Sequence, residues 1–276
     1  MSDTENINSR IWFEEPETDN PFAAHACYCH GYDVYGEILR KASWIEYLFL
    51  LFRGERPSAI EAQLLERLAV ALANPGPRDH SVRAAMNGGV GGSQHAACLM
   101  AALGVGAGQL GGAHEVAIAV ACWRECGTDL EAWRERLINP PKEERADVWT
   151  PMEHPPGFDP HGASCPAPVL QTLECLSELH DSSDLGWLTG NREALEAIAD
   201  CPLAMTGVAA AALHVLGFDS DQSEMLFLLL RLPGAAVHAL EQREFGFRRY
   251  PFFHNAITLE DDPGPRSKVL SVEDAP

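Results

Sequence analysis

The sequence predicts an all-α protein, and three observations lead there. Apolar residues recur at helical spacing in nearly every segment, as in Ile60, Leu64, Leu65, Leu68, Ala69 and Leu72. The alternation expected of strands is almost absent, with Tyr250–Leu259 the one candidate. Helix-ending signals of glycine and proline punctuate the chain, notably Arg53-Gly54, Asn74-Pro75-Gly76-Pro77 and Asn139-Pro140-Pro141.

Residues 1–25 are polar and marked by Pro16 and Pro21, with Ile11–Phe13 as a small apolar anchor, and read as an arm. A helix is expected from Gly31 to about Arg40, then a strongly apolar one over Ser43–Phe52. Pro57-Ser58 opens the next, which stops at Asn74. His80–Met86 reads as helical and runs into Gly88-Gly89 and Gly91-Gly92. Ser93–Gly104 is rich in alanine, and small residues on most faces predict close helix contact, internal or across a dimer.

The stretch Leu103–Val120 organises the middle of the chain. It packs five glycines into an alanine-rich run and ends in a helix expected over Glu115–Arg124. Such glycine density lets backbone or ligand approach closely. The free N–H groups of the helix start also make a ready anion site. A helix follows at Leu130–Ile138. Residues 142–168 then hold six prolines, including Pro155, Pro156, Pro160 and Pro166, and read as a loop of the kind that is functional or mobile. Helices resume at Val169–Leu179, Asn191–Ala199, Met205–Leu216, Ser223–Leu230 and Gly234–Arg243. The acidic tail from Asp261 reads as a disordered end.

The net charge of −20 over 276 residues argues against nucleic acid, which needs a basic face. No uncharged apolar run reaches the ~18 residues of a membrane span, so no membrane partner is expected. The polar start MSDTENINSR carries no secretory pattern, and a cytoplasmic location with eight reduced cysteines follows. The group His25, Cys27, Cys29, His30 lacks a second ligand pair, so no metal is expected there. With three lysines in the chain, arginine must supply most local positive charge.

Five motifs together resemble the citrate synthase superfamily, closest to its short citryl-CoA lyase branch and the matching module of ATP-citrate lyase. They are Gly31-Tyr32-Asp33 followed by the segment Lys41–Ser58, Gly111-Gly112-Ala113 with Glu115, and Pro156-Gly157-Phe158. Arg231-Leu232-Pro233-Gly234 running through His238 to Gln242, and Arg249-Tyr250-Pro251, complete the set. The resemblance implies a helical homodimer. Its large domain would comprise residues 1–118 and 205–276, with a smaller domain over 119–204 and the active site in the cleft. It also implies C–C bond making or breaking between an acyl-CoA such as acetyl-CoA and an oxo-acid such as oxaloacetate. No cofactor is implied beyond coenzyme A carried by the substrate, and a di- or tricarboxylate is the expected ligand.

That chemistry needs a carboxylate base, neutral donors for an enolate, and arginines for substrate carboxylates. Here the chain departs from the family. The segment that carries the family's aspartate base reads Cys201-Pro202-Leu203, and leucine cannot take a proton. Leu110 stands where synthases place a histidine, and Asn74-Pro75-Gly76-Pro77 replaces another histidine segment. The loop histidine falls at Pro160, with His161 one residue on, and the arginines expected after it are missing from Gly162–Val169. The candidate catalytic residues are therefore His161, His114, His80 and Asp159. Asp159 is the candidate for a replacement base, with a loop cap as its other reading. The histidines are candidate donors, with a surface helix start for His80 and a structural role for His114 as the alternatives. Arg231 and Arg249 match the family's substrate-binding arginines, the second as one that reaches the partner's site. Two functions fit this set. One is a C–C lyase or synthase with a remodelled site. The other is a catalytically silent homologue that binds a polycarboxylate or regulates an active paralogue.

Overall fold

The computed structural model describes residues 8–141, 152–179 and 183–250. The first half of the proline loop, the strand candidate beyond Tyr250 and the acidic tail lie outside the described residues, as do the first seven residues of the arm.

The described chain is mostly helical, with one departure at its start. β1 (Phe13–Pro16), β2 (Ala24–Cys29) and β3 (Tyr32–Asp33) form an antiparallel sheet where an arm and a helix start were expected. The sequence signal is a two-residue hairpin turn. His30 and Gly31 both have positive φ, 49° and 86°, as a tight turn between twisted strands requires. Cys27 and Cys29 point inward from β2, which makes them core thiols. Among the described residues, no group of histidine, cysteine and carboxylate is placed to hold a metal.

After a π-type turn at Val34–Ile38 and α1 (Leu39–Lys41), the helices begin in earnest. α2 (Trp44–Arg53) and α3 (Ala59–Leu72) each open with a capping box, Ser43 with Glu46 and Ser58 with Glu61. α4 (His80–Val90) is capped by Asp79, and α5 (His95–Gly106) follows. α6 (Ala113–Cys126) starts directly after the glycine turn, two residues earlier than its apolar pattern predicted. α7 (Leu130–Ile138), α8 (Ala167–Leu179), α9 (Ser183–Ala199) and α10 (Met205–Val215) come next.

The largest difference from expectation is α11, one 26-residue helix over Ser220–Phe245 instead of two. Pro233 lies inside it and removes one ladder donor. The Gly234 N–H leaves the ladder and donates to Ala73 O of the chain after α3, at 2.7 Å. That bond compensates the local break, and His238 Nε2 meets Asn74 Oδ1 at 3.1 Å one turn later. Glycine is required at 234, because an added Cβ would lie 2.6 Å from Ala73 O.

α11 is the one described helix with the length and hydropathy of a membrane span. It packs instead against α4, α5 and α6, with the buried Arg231 midway along it. The small residues allow that packing: a side chain at Gly89 of α4 would overlap the backbone of Ala239 in α11. One apolar core joins Leu64, Leu65 and Leu68 of α3 to Val116 and Val120 of α6 and Leu213 of α10.

Candidate functional site

A cleft of about 570 Å³ opens among the end of α3, the cap of α4, the glycine turn, the proline loop and the chain entering α10. Its wall includes His80, Asp159, His161 and Arg231, four side chains drawn from three distant parts of the sequence. Leu110 and Leu203 line it as apolar surface. His114 sits half-buried in the first turn of α6 and is not among the lining residues, and Arg249 is exposed beyond α11 with its guanidinium 5.9 Å from the Phe245 ring.

The proline loop is held against the α10 entry by backbone bonds. Asp159 N donates to Pro202 O and Ala204 N to Gly157 O, each at 2.9 Å. Gly157 and Gly207 make this possible, since a Cβ on Gly157 would lie 2.9 Å from the Gly207 Cα. The loop thereby presents Asp159 and His161 together. The His161 N–H donates to Asp159 Oδ1 at 2.9 Å, a local turn that fixes the carboxylate beside the cleft.

Glu115 is the residue that sequence reasoning quoted without giving it a role. It is 1% exposed and ties three segments together. Its Oε1 accepts from the Thr206 hydroxyl at 2.7 Å and from Gly157 N at 2.9 Å. Its Oε2 accepts from Gly111 N at 2.6 Å. His154 Nε2 stands 3.5 Å from the same oxygen, too long for a good hydrogen bond. The anion site expected at the glycine turn thus receives the chain's own carboxylate. A signal was present, because Glu115 is the single carboxylate within the run Ala113–Cys122.

Arg231 is likewise already engaged. Its Nη1 donates to Gly111 O at 3.0 Å, its Nη2 meets Asp79 Oδ2, and its plane lies 4.7 Å from the Phe227 ring centre. Burial pushes the guanidinium down to about 10, which leaves it charged at neutral pH. Asp79 caps α4, and its Arg231 partner lies 152 residues away, beyond any local pattern.

No family model matches the sequence, and no curated protein matches it either. Solved structures do. The citryl-CoA lyase of Hydrogenobacter thermophilus superposes with a TM-score of 0.69 at 16% identity, covering 95% of this chain and 96% of that one.

The chain has the citrate synthase fold.

The ATP citrate lyase of Methanothrix soehngenii, in complex with citrate and coenzyme A, gives a TM-score of 0.66 at 16% identity, over 99% of this chain and 43% of its own. The citrate synthase of Thermotoga maritima gives 0.57 at 19% identity, over 80% of this chain and 59% of its own. The citrate synthase-like chain spans less than half of that ATP citrate lyase and nearly the whole of the lyase from Hydrogenobacter.

Proposed function

We propose that this chain is a citrate synthase/citryl-CoA lyase-type enzyme that makes or cleaves a C–C bond between an acyl-CoA and an oxo-acid in a remodelled site. The observation that carries this reading is the convergence of His80, Asp159 and His161 on one cleft in this fold. Proton removal beside a thioester carbonyl needs a carboxylate within reach and neutral donors for the enolate oxygen. Asp159 is assigned the first task, in place of the leucine at 203. His161 and His80 are assigned the second. His114, in the first turn of α6 beside the glycine turn, is assigned a positioning role. Arg231 binds the substrate's oxygen end, and Arg249 reaches the partner's cleft in a homodimer. The dimer is supported by exposed apolar residues on α5 and α11, among them Met100, Val105, Met225 and Leu229. The described residues within 119–204 are assigned to the smaller domain.

Two observations favour the second reading, a silent ligand-binding homologue. Leu203 is buried and zipped to the proline loop, and Arg231 is paired inside the fold. Proton exchange separates the two without requiring the correct oxo-acid. The protein is incubated with acetyl-CoA in D₂O, and the methyl group is followed by mass spectrometry. Deuterium uptake above the buffer rate supports an enzyme. Thermal stabilisation by coenzyme A without uptake supports the silent homologue.

A further inference from the structure

We propose that Asp79 occupies, within the chain itself, the carboxylate subsite offered by Arg231, so that the ligand is a carbonyl compound with at most one carboxylate and not a di- or tricarboxylate. This rests on the cleft being the ligand site proposed above.

The guanidinium of Arg231 is enclosed on three sides. Phe227 covers one face, Gly111 O takes one Nη1 hydrogen, and Asp79 Oδ2 takes Nη2. A planar guanidinium pairs with one carboxylate through its fork, and here that partner is internal. Asp79 is itself anchored on its second oxygen. Its Oδ1 accepts from Ser81 N at 2.9 Å and Val82 N at 3.2 Å as the N-cap of α4, and from the Ser81 hydroxyl. The helix N-terminus stabilises its negative charge. Swinging Asp79 away to admit a substrate carboxylate forfeits both the cap and the ion pair.

The glycine turn follows the same pattern. Its Gly111 N–H, an obvious donor for an anion, is held by Glu115 Oε2 at 2.6 Å. Both features that would draw a polyanion are therefore filled by the chain's own carboxylates. The lining charge agrees: among the described residues Asp79, Glu115 and Asp159 line the cleft with Arg78 and Arg231, three carboxylates to two arginines. A trianion entering this cleft meets excess like charge; among the described lining residues the buried cation, Arg231, is already paired, and Arg78 is exposed and screened by solvent. A neutral carbonyl oxygen carries no such cost, and the guanidinium retains N–H hydrogens beyond those two bonds.

The test is citrate binding by isothermal titration to the full-length protein, comparing wild type with Asp79→Asn. Asparagine caps helices about as well as aspartate, so the substitution removes the charge and keeps α4. Wild type should give no measurable citrate binding. Asp79→Asn should bind citrate at least tenfold more tightly, and the gain should vanish in Asp79→Asn/Arg231→Gln. Asp79→Ser, a second capping residue without charge, should behave as Asp79→Asn and covers the case in which one variant fails to fold. Equal citrate affinity in wild type and Asp79→Asn overturns the proposal, as does no binding by either folded variant. Deuterium uptake into acetyl-CoA is scored separately. Absence of uptake by wild type defeats the enzymatic reading, while the titration alone decides the occupancy of Arg231.

Discussion

Replacing Glu115 by glutamine tests how the cleft is held together. The side chain keeps its size, so no cavity opens, and only charge and one acceptor change. Oε1 can still accept from Thr206 and Gly157, but as a neutral carbonyl. The new amide then faces the Gly111 N–H, donor against donor. A hydrogen bond to a charged group contributes about 1.5–3 kcal/mol and a neutral one about 0.5–1.5 kcal/mol. Two weakened bonds and one lost bond therefore cost about 4 kcal/mol, and relief from burying a charge offsets part of this. A net destabilisation of about 2–3 kcal/mol follows, or a Tm lower by roughly 5–10 °C for a chain of this size. Urea unfolding followed by tryptophan fluorescence measures it directly. A loss below about 0.5 kcal/mol would refute the assignment of Glu115 as the tie between glycine turn, proline loop and α10.

Three further outcomes are expected. Gly207→Ala drives a Cβ against the Gly157 backbone and to within 2.8 Å of Leu203 Cδ1, so stability should fall by about 2–3 kcal/mol in the same urea assay. His214 stacks on Trp123, and burial lowers its pKa from the ordinary 6.5 of histidine, with Asp184 partly opposing. A depressed folded pKa gives stability that is present above 6.5 and lost as pH falls through the folded value. Tm should therefore drop more steeply below pH 6.5 in wild type than in His214→Phe, and identical slopes would contradict this. Burial raises the Cys122 thiol to about 12, whereas Cys175 is exposed. Iodoacetamide mapping at pH 8 should modify Cys175 first and Cys122 only after denaturation.

Much of the fold was readable because it rests on local chemistry. The capping boxes at Ser43 and Ser58, the apolar stripe of α3 and the glycine-to-helix passage at Gly112 are all encoded within a few residues. The α11 segment shows the limit of that reading. Pro233 looked like a break, and a bond from Gly234 N to Ala73 O keeps the helix continuous across it. The hairpin at His30-Gly31 was hidden because His-Gly is not among the Asn-Gly, Asp-Gly or Gly-Gly pairs that announce a two-residue turn, so the glycine looked like a helix start. In the site, His80, Asp159 and His161 are substitutes for absent family residues; they line one cleft, and their roles are those proposed above. Asp79 and Glu115 gained their meaning from partners up to 152 residues away, which no local pattern encodes.

The most direct test of the account is deuterium uptake into acetyl-CoA by wild type, Asp159→Asn and His161→Gln, with Tm recorded for each. The account predicts uptake by wild type above the buffer rate, and at least a tenfold loss in both variants without a matching loss of Tm. Uptake at the buffer rate in wild type, or unchanged uptake in Asp159→Asn, would contradict it.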